Sequence, residues 1–456
     1  MKSDAAKQFL SRLMERPLGN LWILALANLT YMCAHVGYLL RNGVDADFKV
    51  IFATILRFTS GAEVFFPANE PLGTAYNSTL LYLFLSPLTF FPLSTASRIF
   101  LTLNLVLVIC ISWQITSILR IQNLRDKFTC FLFILTILQL SFAYRSTLAN
   151  GQIALMFIFL QLLYFNLLFK KNHWSTTFSP IILWFLIELK PYLILPWLVY
   201  MFFSRRYLKH LLLAFIAGAS FQCIYYLVNV SSTFMSYSTL LLKRSDSTFQ
   251  ELDQASLTSL LHVFFHLDKK YSFGFFVLAL VIPIIYLIKK LELDEENRFF
   301  IILLSAPLLS IYFHRQDSLL ASAFLGLLFY RFISDSKGQV SLVFESFIYA
   351  ALILNLNWGN ASLLPAISLL MLMYILLRLT KMRGRKKSLI IIFAFSMQFC
   401  QVLIFSHFGW EGSYKLWTVL VFMFQIVLVL VYIYPYFSMK RRNDWLQLPD
   451  LDLKIP

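Results

Sequence analysis

Long apolar segments separated by short polar ones dominate the pattern of this chain. The first runs from about residue 21 to 40, and the others approach or match the roughly 17 to 25 residues that a helix needs to cross a bilayer. They lie near residues 98–119, 128–143, 153–169, 211–229, 272–288, 299–313, 318–333, 342–357, 361–377, 389–406 and 414–437. Two shorter runs, 178–189 and 191–204, flank Lys190-Pro191 and predict a broken helix pair. The pattern predicts an all-α polytopic membrane bundle of about 12–14 transmembrane helices.

Composition agrees with a membrane protein, since 59% of the residues are hydrophobic and 14% are charged. Soluble proteins carry about a quarter charged residues. Lys and Arg number 39 against 23 Asp and Glu, a net charge of +16. In a membrane protein this excess favours cytoplasmic loops that face anionic lipid, so we expect membrane lipids and no nucleic acid as partners. The five cysteines show no CxxC spacing and are scattered through apolar runs, which argues against a disulfide framework and a zinc site.

The basic loops give the orientation, because Lys and Arg in short loops favour the cytoplasm. They lie at residues 120–127, 170–174, 204–210, 289–290, 378–387 and 439–442. All can be cytoplasmic together only if the apolar stretch 77–92, which Pro87 and Pro92 break, does not cross the membrane. We therefore predict an uncleaved first helix with a cytoplasmic N-terminus, a large first external loop of about residues 41–97, and an interfacial helix at 77–92.

This orientation collects the remaining polar residues on the non-cytoplasmic side. They are Asp45 and Asp47 after the first apolar run, YRSTLANGQ at 144–152, Lys190, a loop at about 229–271 and FHRQD at 313–317. Ionisable groups near membrane depth are costly and are therefore functional candidates. The pattern predicts a single site on the external face.

The order of these features resembles glycosyltransferase family 87, which belongs to the GT-C superfamily. The shared features are an Asp-Phe pair opening the first external loop, an interfacial helix, an external Gly-Gln, a Lys-Pro break and a late external His, spread over about residues 20–330. The family usually ends this loop with Tyr-x-Pro-Pro, whereas AYNST at 75–79 keeps only the tyrosine. The resemblance implies a GT-C-like catalytic membrane module at residues 1–333, followed by additional transmembrane helices at 334–456.

The resemblance also implies roles for individual residues. Asp47 takes the place of the catalytic aspartate, Asp45 is the neighbouring alternative, and His314 falls on the late external histidine. The candidate substrate-binding residues are Lys190, Arg145, Gln152, Arg315 and Tyr76, of which Gln152 and Lys190 fall on the family's glutamine and lysine.

Family members transfer a sugar from a polyprenyl monophosphate to an acceptor hydroxyl with inversion. We therefore expect a polyprenyl-phosphate donor of mannose or another hexose or pentose, and a lipid or glycan acceptor. One carboxylate accepts the acceptor proton, and a Lys or Arg stabilises the charge on the departing phosphate. The expected location is a bacterial or archaeal plasma membrane, with the active site on the external face.

Each candidate also has a structural alternative. Asp45 or Asp47 could cap a helix beginning near Phe48, Lys190 could snorkel at a helix end, and Arg145 could contact lipid headgroups. The Asp45-Ala46-Asp47 spacing could hold a divalent cation, but we expect no cofactor, because a monophosphate donor has little need of a metal bridge.

Other functions also stay open at this stage. The chain has no GxGxxG or GxxxxGK[ST] motif, which argues against a nucleotide-sugar donor. A transporter or flippase of lipid-linked sugars is an alternative because such proteins also use broken helices. A surface-polysaccharide polymerase or ligase is another, since these enzymes also combine many helices with external arginines.

Overall fold

The structure is a computed structural model, and it describes residues 46–65, 77–118, 124–141, 147–148, 151–169, 173–202, 204–230 and 233–239. It also describes isolated positions at 26, 29–30, 33, 36–37, 40–41, 144, 282, 285–286, 298 and 302. Within these residues all regular structure is helical and there is no strand, as an all-α chain requires. The predicted spans beyond residue 302, including those of 334–456, lie outside the described residues.

Eight α-helices and one 3-10 turn make up the described part of the chain. They are α1 (Ala46–Thr59), α2 (Thr79–Leu85), the 3-10 turn (Ser86–Phe90), α3 (Leu93–Ile118), α4 (Leu124–Leu140), α5 (Ala154–Phe169), α6 (His173–Leu189), α7 (Pro191–Phe202) and α8 (Arg205–Val228). Two stretches, Leu93–Ser117 and Tyr207–Val228, are long and apolar enough to cross a membrane.

The two longest helices begin earlier than the apolar runs that predicted them. The run at 98–119 corresponds to α3, which begins at Leu93, and the run at 211–229 corresponds to α8, which begins at Arg205. Both helices start in polar segments, because backbone hydrogen bonds can continue through polar residues that hydropathy does not mark. The helix ends differ from the predicted ends by one residue in both cases.

Two of the helices lie in the predicted first external loop. Helix α1 buries Phe48, Ile51, Phe52, Ile55 and Phe58, whose spacing puts them on one helical face. Helix α2 and the 3-10 turn together reach about 20 Å, less than the roughly 30 Å of a hydrocarbon core. This segment is thus too short to cross as a helix, in agreement with the predicted breaks at its prolines.

Helix packing defines two ends of the bundle. The pairs α3/α4 and α5/α6 pack together and are joined by a few residues, so each pair is antiparallel. The start of α3, the end of α4, the start of α5 and the end of α6 therefore lie at one end, which we call the upper end. The end of α3, the start of α4, the end of α5 and the start of α6, which flank or include the basic segments 120–127 and 170–174 of the sequence, lie at the opposite, lower end. Helix α1 packs on α2, on the 3-10 turn and on α3.

The predicted break at Lys190-Pro191 is present, because α6 ends at Leu189 and α7 begins at Pro191. Proline lacks a backbone N–H and disfavours helical geometry in the residue before it. The Lys190 N–H still donates to the Leu186 carbonyl at 3.2 Å, and the Leu193 N–H donates to the Lys190 carbonyl at 3.1 Å. Lys190 thus closes one helix and opens the next.

Candidate functional site

Asp47 lies in the first turn of α1, which begins at Ala46. A carboxylate in this position is favoured by the partial positive charge at a helix N-terminus. The next residue, Phe48, is fully buried, and its ring stacks on Phe100 of α3 with a centroid distance of 4.8 Å. This contact fixes the start of α1 against the bundle, so the Asp47 backbone is held in place.

Gln152 is positioned by the end of a short helical segment between α4 and α5. Gly151 has φ +70°, a left-handed conformation that glycine adopts without steric cost. The Gly151 N–H donates to the Leu148 carbonyl at 3.3 Å, and the Gln152 N–H donates to the Thr147 carbonyl at 3.0 Å. These two bonds form a Schellman ending, which fixes the backbone from which the Gln152 side chain leaves.

The Gln152 side chain contacts Asp47 directly. Its amide Nε2 donates to Asp47 Oδ2 at 2.6 Å, across 105 positions of sequence. Both side chains are half-buried. Among the described residues, Asp47 Oδ1 accepts no hydrogen bond. The amide therefore orients the carboxylate and leaves one oxygen for another donor, the arrangement that a general base needs.

Lys190 lies at the same end of the bundle as this pair. It follows the last residue of α6, and Gln152 precedes the first turn of α5, so the antiparallel packing of the two helices brings both to the upper end. Lys190 is 7% exposed. A buried ammonium at a helix break is costly to keep unless it has a role, and so Lys190 stays a binding candidate.

A second carboxylate at the upper end, besides Asp47, was not among the candidates from the sequence. Glu188 is fully buried in the last turn of α6, two residues before Lys190. Its Oε1 accepts a bond from the Leu80 N–H of α2 at 3.4 Å, and its Oε2 accepts one from the Tyr225 hydroxyl of α8 at 2.9 Å. A glutamate inside an apolar run was a signal that could have singled it out.

Tyr82 is another buried polar group that the sequence did not single out. Its hydroxyl oxygen accepts a bond from the Asn77 N–H at 3.3 Å, and its ring lies 6.4 Å from that of Phe58 in α1. Burial raises the pKa of the Tyr82 phenol above its usual range, so the hydroxyl stays protonated. Tyr82 therefore joins α2 to α1 and fixes the backbone next to the candidate Tyr76.

The other site candidates lie outside the described residues, namely Asp45, Tyr76, Arg145, His314 and Arg315. Their roles stay predictions, and so does a cation held by Asp45 and Asp47. Within the described ranges, no group of three or more His, Cys, Asp or Glu side chains could hold a metal ion.

Comparison with known proteins gives one match. The sequence profile of glycosyltransferase family 87 matches residues 77–322, more than half of the chain. Of the candidate site residues, five fall within the match, namely Arg145, Gln152, Lys190, His314 and Arg315. Asp45, Asp47 and Tyr76 precede it. No curated protein and no solved structure matches the chain. The family and the two long apolar helices together indicate a membrane protein.

Proposed function

Since the chain belongs to glycosyltransferase family 87, we propose that it transfers a sugar from a polyprenyl monophosphate to a hydroxyl of a lipid or glycan, with inversion and with Asp47 as general base. Membership of this family makes the chain a glycosyltransferase and decides against a flippase. The observation that carries the proposal is the 2.6 Å contact between Gln152 and Asp47, which are 105 positions apart in the sequence.

The proposed reaction uses the free oxygen of Asp47. The acceptor hydroxyl donates a hydrogen bond to Oδ1, and its proton moves to the carboxylate as the hydroxyl oxygen bonds to the anomeric carbon. The bond from that carbon to the phosphate oxygen breaks, and polyprenyl phosphate leaves with the electron pair. The proton then passes from Asp47 to solvent. A phosphate needs no general acid to leave, so one carboxylate is sufficient.

Lys190 is the proposed partner of the departing phosphate. Negative charge gathers on the phosphate as its bond breaks, and a positive charge beside it stabilises the transition state more than the ground state. Its burial and its location at the upper end support this role. Arg145 and Arg315 are further candidates for the phosphate, and His314 is a candidate partner of Asp47 or of the phosphate.

The upper end is proposed to face the non-cytoplasmic side, because the basic segments lie at the lower end. Cysteine labelling in a cysteine-free protein tests this. Cysteines replacing Ser60 and Ser94, both exposed, should react with an impermeant reagent in intact cells. A cysteine replacing Lys209, near the start of α8, should react only after permeabilisation. The opposite pattern would place the site in the cytoplasm and overturn the proposed orientation.

The substitution Asp47→Asn tests the general base. It keeps the shape of the side chain, so the protein should insert and still bind polyprenyl phosphate, while turnover of a panel of polyprenyl-phosphate sugars should fall by about 10² to 10⁴. Glu63→Gln removes an exposed carboxylate soon after α1 and is the matched control. Asp45→Asn should be much milder than Asp47→Asn. Turnover within threefold of wild type in Asp47→Asn would refute the mechanism.

A further inference from the structure

Glu188 joins three helices through its two carboxylate oxygens. It belongs to α6, while the Leu80 N–H belongs to α2 and the Tyr225 hydroxyl belongs to α8. A fully buried carboxylate is costly, and well-packed apolar side chains often hold helices together at least as well as buried ionic networks do. Stability alone therefore gives no reason for a glutamate at this position.

Helix α8 makes a second polar contact one turn further on. Asn229 follows α8 and is 4% exposed. Its Nδ2 donates to the Phe58 carbonyl at 3.3 Å and to the Ala62 carbonyl at 2.9 Å, at the end of α1. Tyr225 and Asn229 are four residues apart and so lie on one side of the helix. The same side of α8 thus binds the end of α1 and, through Glu188, the start of α2.

These contacts connect the helices that carry the proposed catalytic groups. Asp47 lies in the first turn of α1, and α6 ends at Leu189, one residue after Glu188 and immediately before Lys190. We propose that Glu188, Tyr225 and Asn229 form a positioning clamp, which holds α1 and α2 in a fixed arrangement with the end of α6. This inference rests on the proposed function, because it assumes that Asp47 and Lys190 act in one site. The three residues are positioning residues, since they act through others.

A distance measurement tests the clamp without reference to activity. Spin labels at positions 84 in α2 and 216 in α8, which are 59% and 63% exposed, report how the two helices are arranged. The wild-type protein should give a narrow distribution of distances. Glu188→Leu and Tyr225→Phe should broaden it, because each interrupts the hydrogen-bonded path from Tyr225 of α8 through Glu188 to Leu80 of α2. Asn229→Ala should broaden the corresponding distribution between labels at positions 56 and 216.

A turnover measurement tests whether the clamp serves the site. A misplacement of about 1 Å can cost about 100-fold in rate, so we expect kcat/KM in Glu188→Leu to fall about 10- to 100-fold. Glu188→Gln keeps an oxygen for Leu80 and an amide that can donate to the Tyr225 oxygen. It should therefore restore turnover to within about threefold of wild type. Tyr164→Phe is the matched control, since it removes a buried hydroxyl from α5 whose partner is the Met201 sulfur at 3.8 Å.

Several outcomes would overturn the clamp. Unchanged distances and turnover in both Glu188→Leu and Tyr225→Phe would make the contacts incidental. Broadened distances with normal turnover would show that the contacts do not serve the site. Lost turnover with unchanged distances would give Glu188 a chemical role instead. If Glu188→Leu does not fold, Tyr225→Phe decides between these outcomes. An active Asp47→Asn enzyme would refute the proposed function and leave the distance result standing.

Discussion

Removal of the Gln152 amide tests the central contact of the site. A hydrogen bond to a charged group contributes about 1.5–3 kcal/mol to the stability of the arrangement that it holds. The 2.6 Å contact to Asp47 is of this kind, but both side chains are half-buried and water can replace part of the bond. We therefore expect Gln152→Ala to raise the activation free energy by about 1.5–2 kcal/mol, which corresponds to a loss of about 10- to 30-fold in turnover. Gln152→Asn should behave similarly, since its amide is one methylene too short to reach the carboxylate.

A double-mutant cycle shows whether the loss passes through Asp47. If Gln152 only orients the carboxylate, Gln152→Ala should cost nothing further once Asp47→Asn has removed the base. The double variant should then turn over within about threefold of Asp47→Asn alone. The assay is initial turnover of a polyprenyl-phosphate sugar per folded molecule, and Gln161→Ala, in the middle of α5, is the matched control. Additive losses in the double variant would refute the reasoning, because they would mean that Gln152 acts elsewhere.

Two further predictions concern the residues around this contact. Gly151→Ala should destabilise the protein by about 1–2 kcal/mol and lower turnover, because alanine is strained at φ +70° and the Schellman ending places Gln152. Gly61→Ala carries the same strain at φ +73° and is the matched control for the loss of stability, which thermal unfolding should detect in both variants. Lys190→Ala should lower kcat/KM for the donor by about 10²-fold or more, the typical loss of one transition-state stabilising group. The substitution Lys49→Ala, at an exposed position, should leave kcat/KM for the donor unchanged. Equal kinetics in the two lysine variants would mean that Lys190 only anchors the end of its helix.

Much of the fold was predictable because hydropathy and proline positions act locally. Apolar runs predicted α3 to α8, and Pro191 predicted the break after Lys190. The starts of the helices were harder to predict, since polar residues such as those at the start of α8 continue a helix without an apolar face. The prediction that the segment at 77–92 does not cross the membrane rested on the charges of distant loops as well as on its two prolines.

The candidate site was predictable only in part. Asp47 and Gln152 were chosen through resemblance, and the structure places them in contact. Glu188 is a lone carboxylate in an apolar run of the sequence. Its hydrogen-bond partners, Leu80 and Tyr225, are 108 and 37 positions away. No local pattern connects residues at such separations. The contacts depend on how α2, α6 and α8 pack, which the sequence alone did not predict.

The length of α3 indicates where the site lies relative to the lipid tails. Its 26 residues extend about 39 Å, whereas the hydrocarbon core is about 30 Å thick. If α3 stands along the membrane normal with its lower end at one boundary of the hydrocarbon core, its upper end projects about 9 Å beyond the other boundary. The headgroup layer is about 5–7 Å deep on each side. Helix α1 contacts α3 at Phe100, about 10 Å below the start of α3, so Asp47 would lie close to the boundary between the lipid tails and the headgroups. The proposed polyprenyl-phosphate donor could then react without its lipid chain leaving the bilayer.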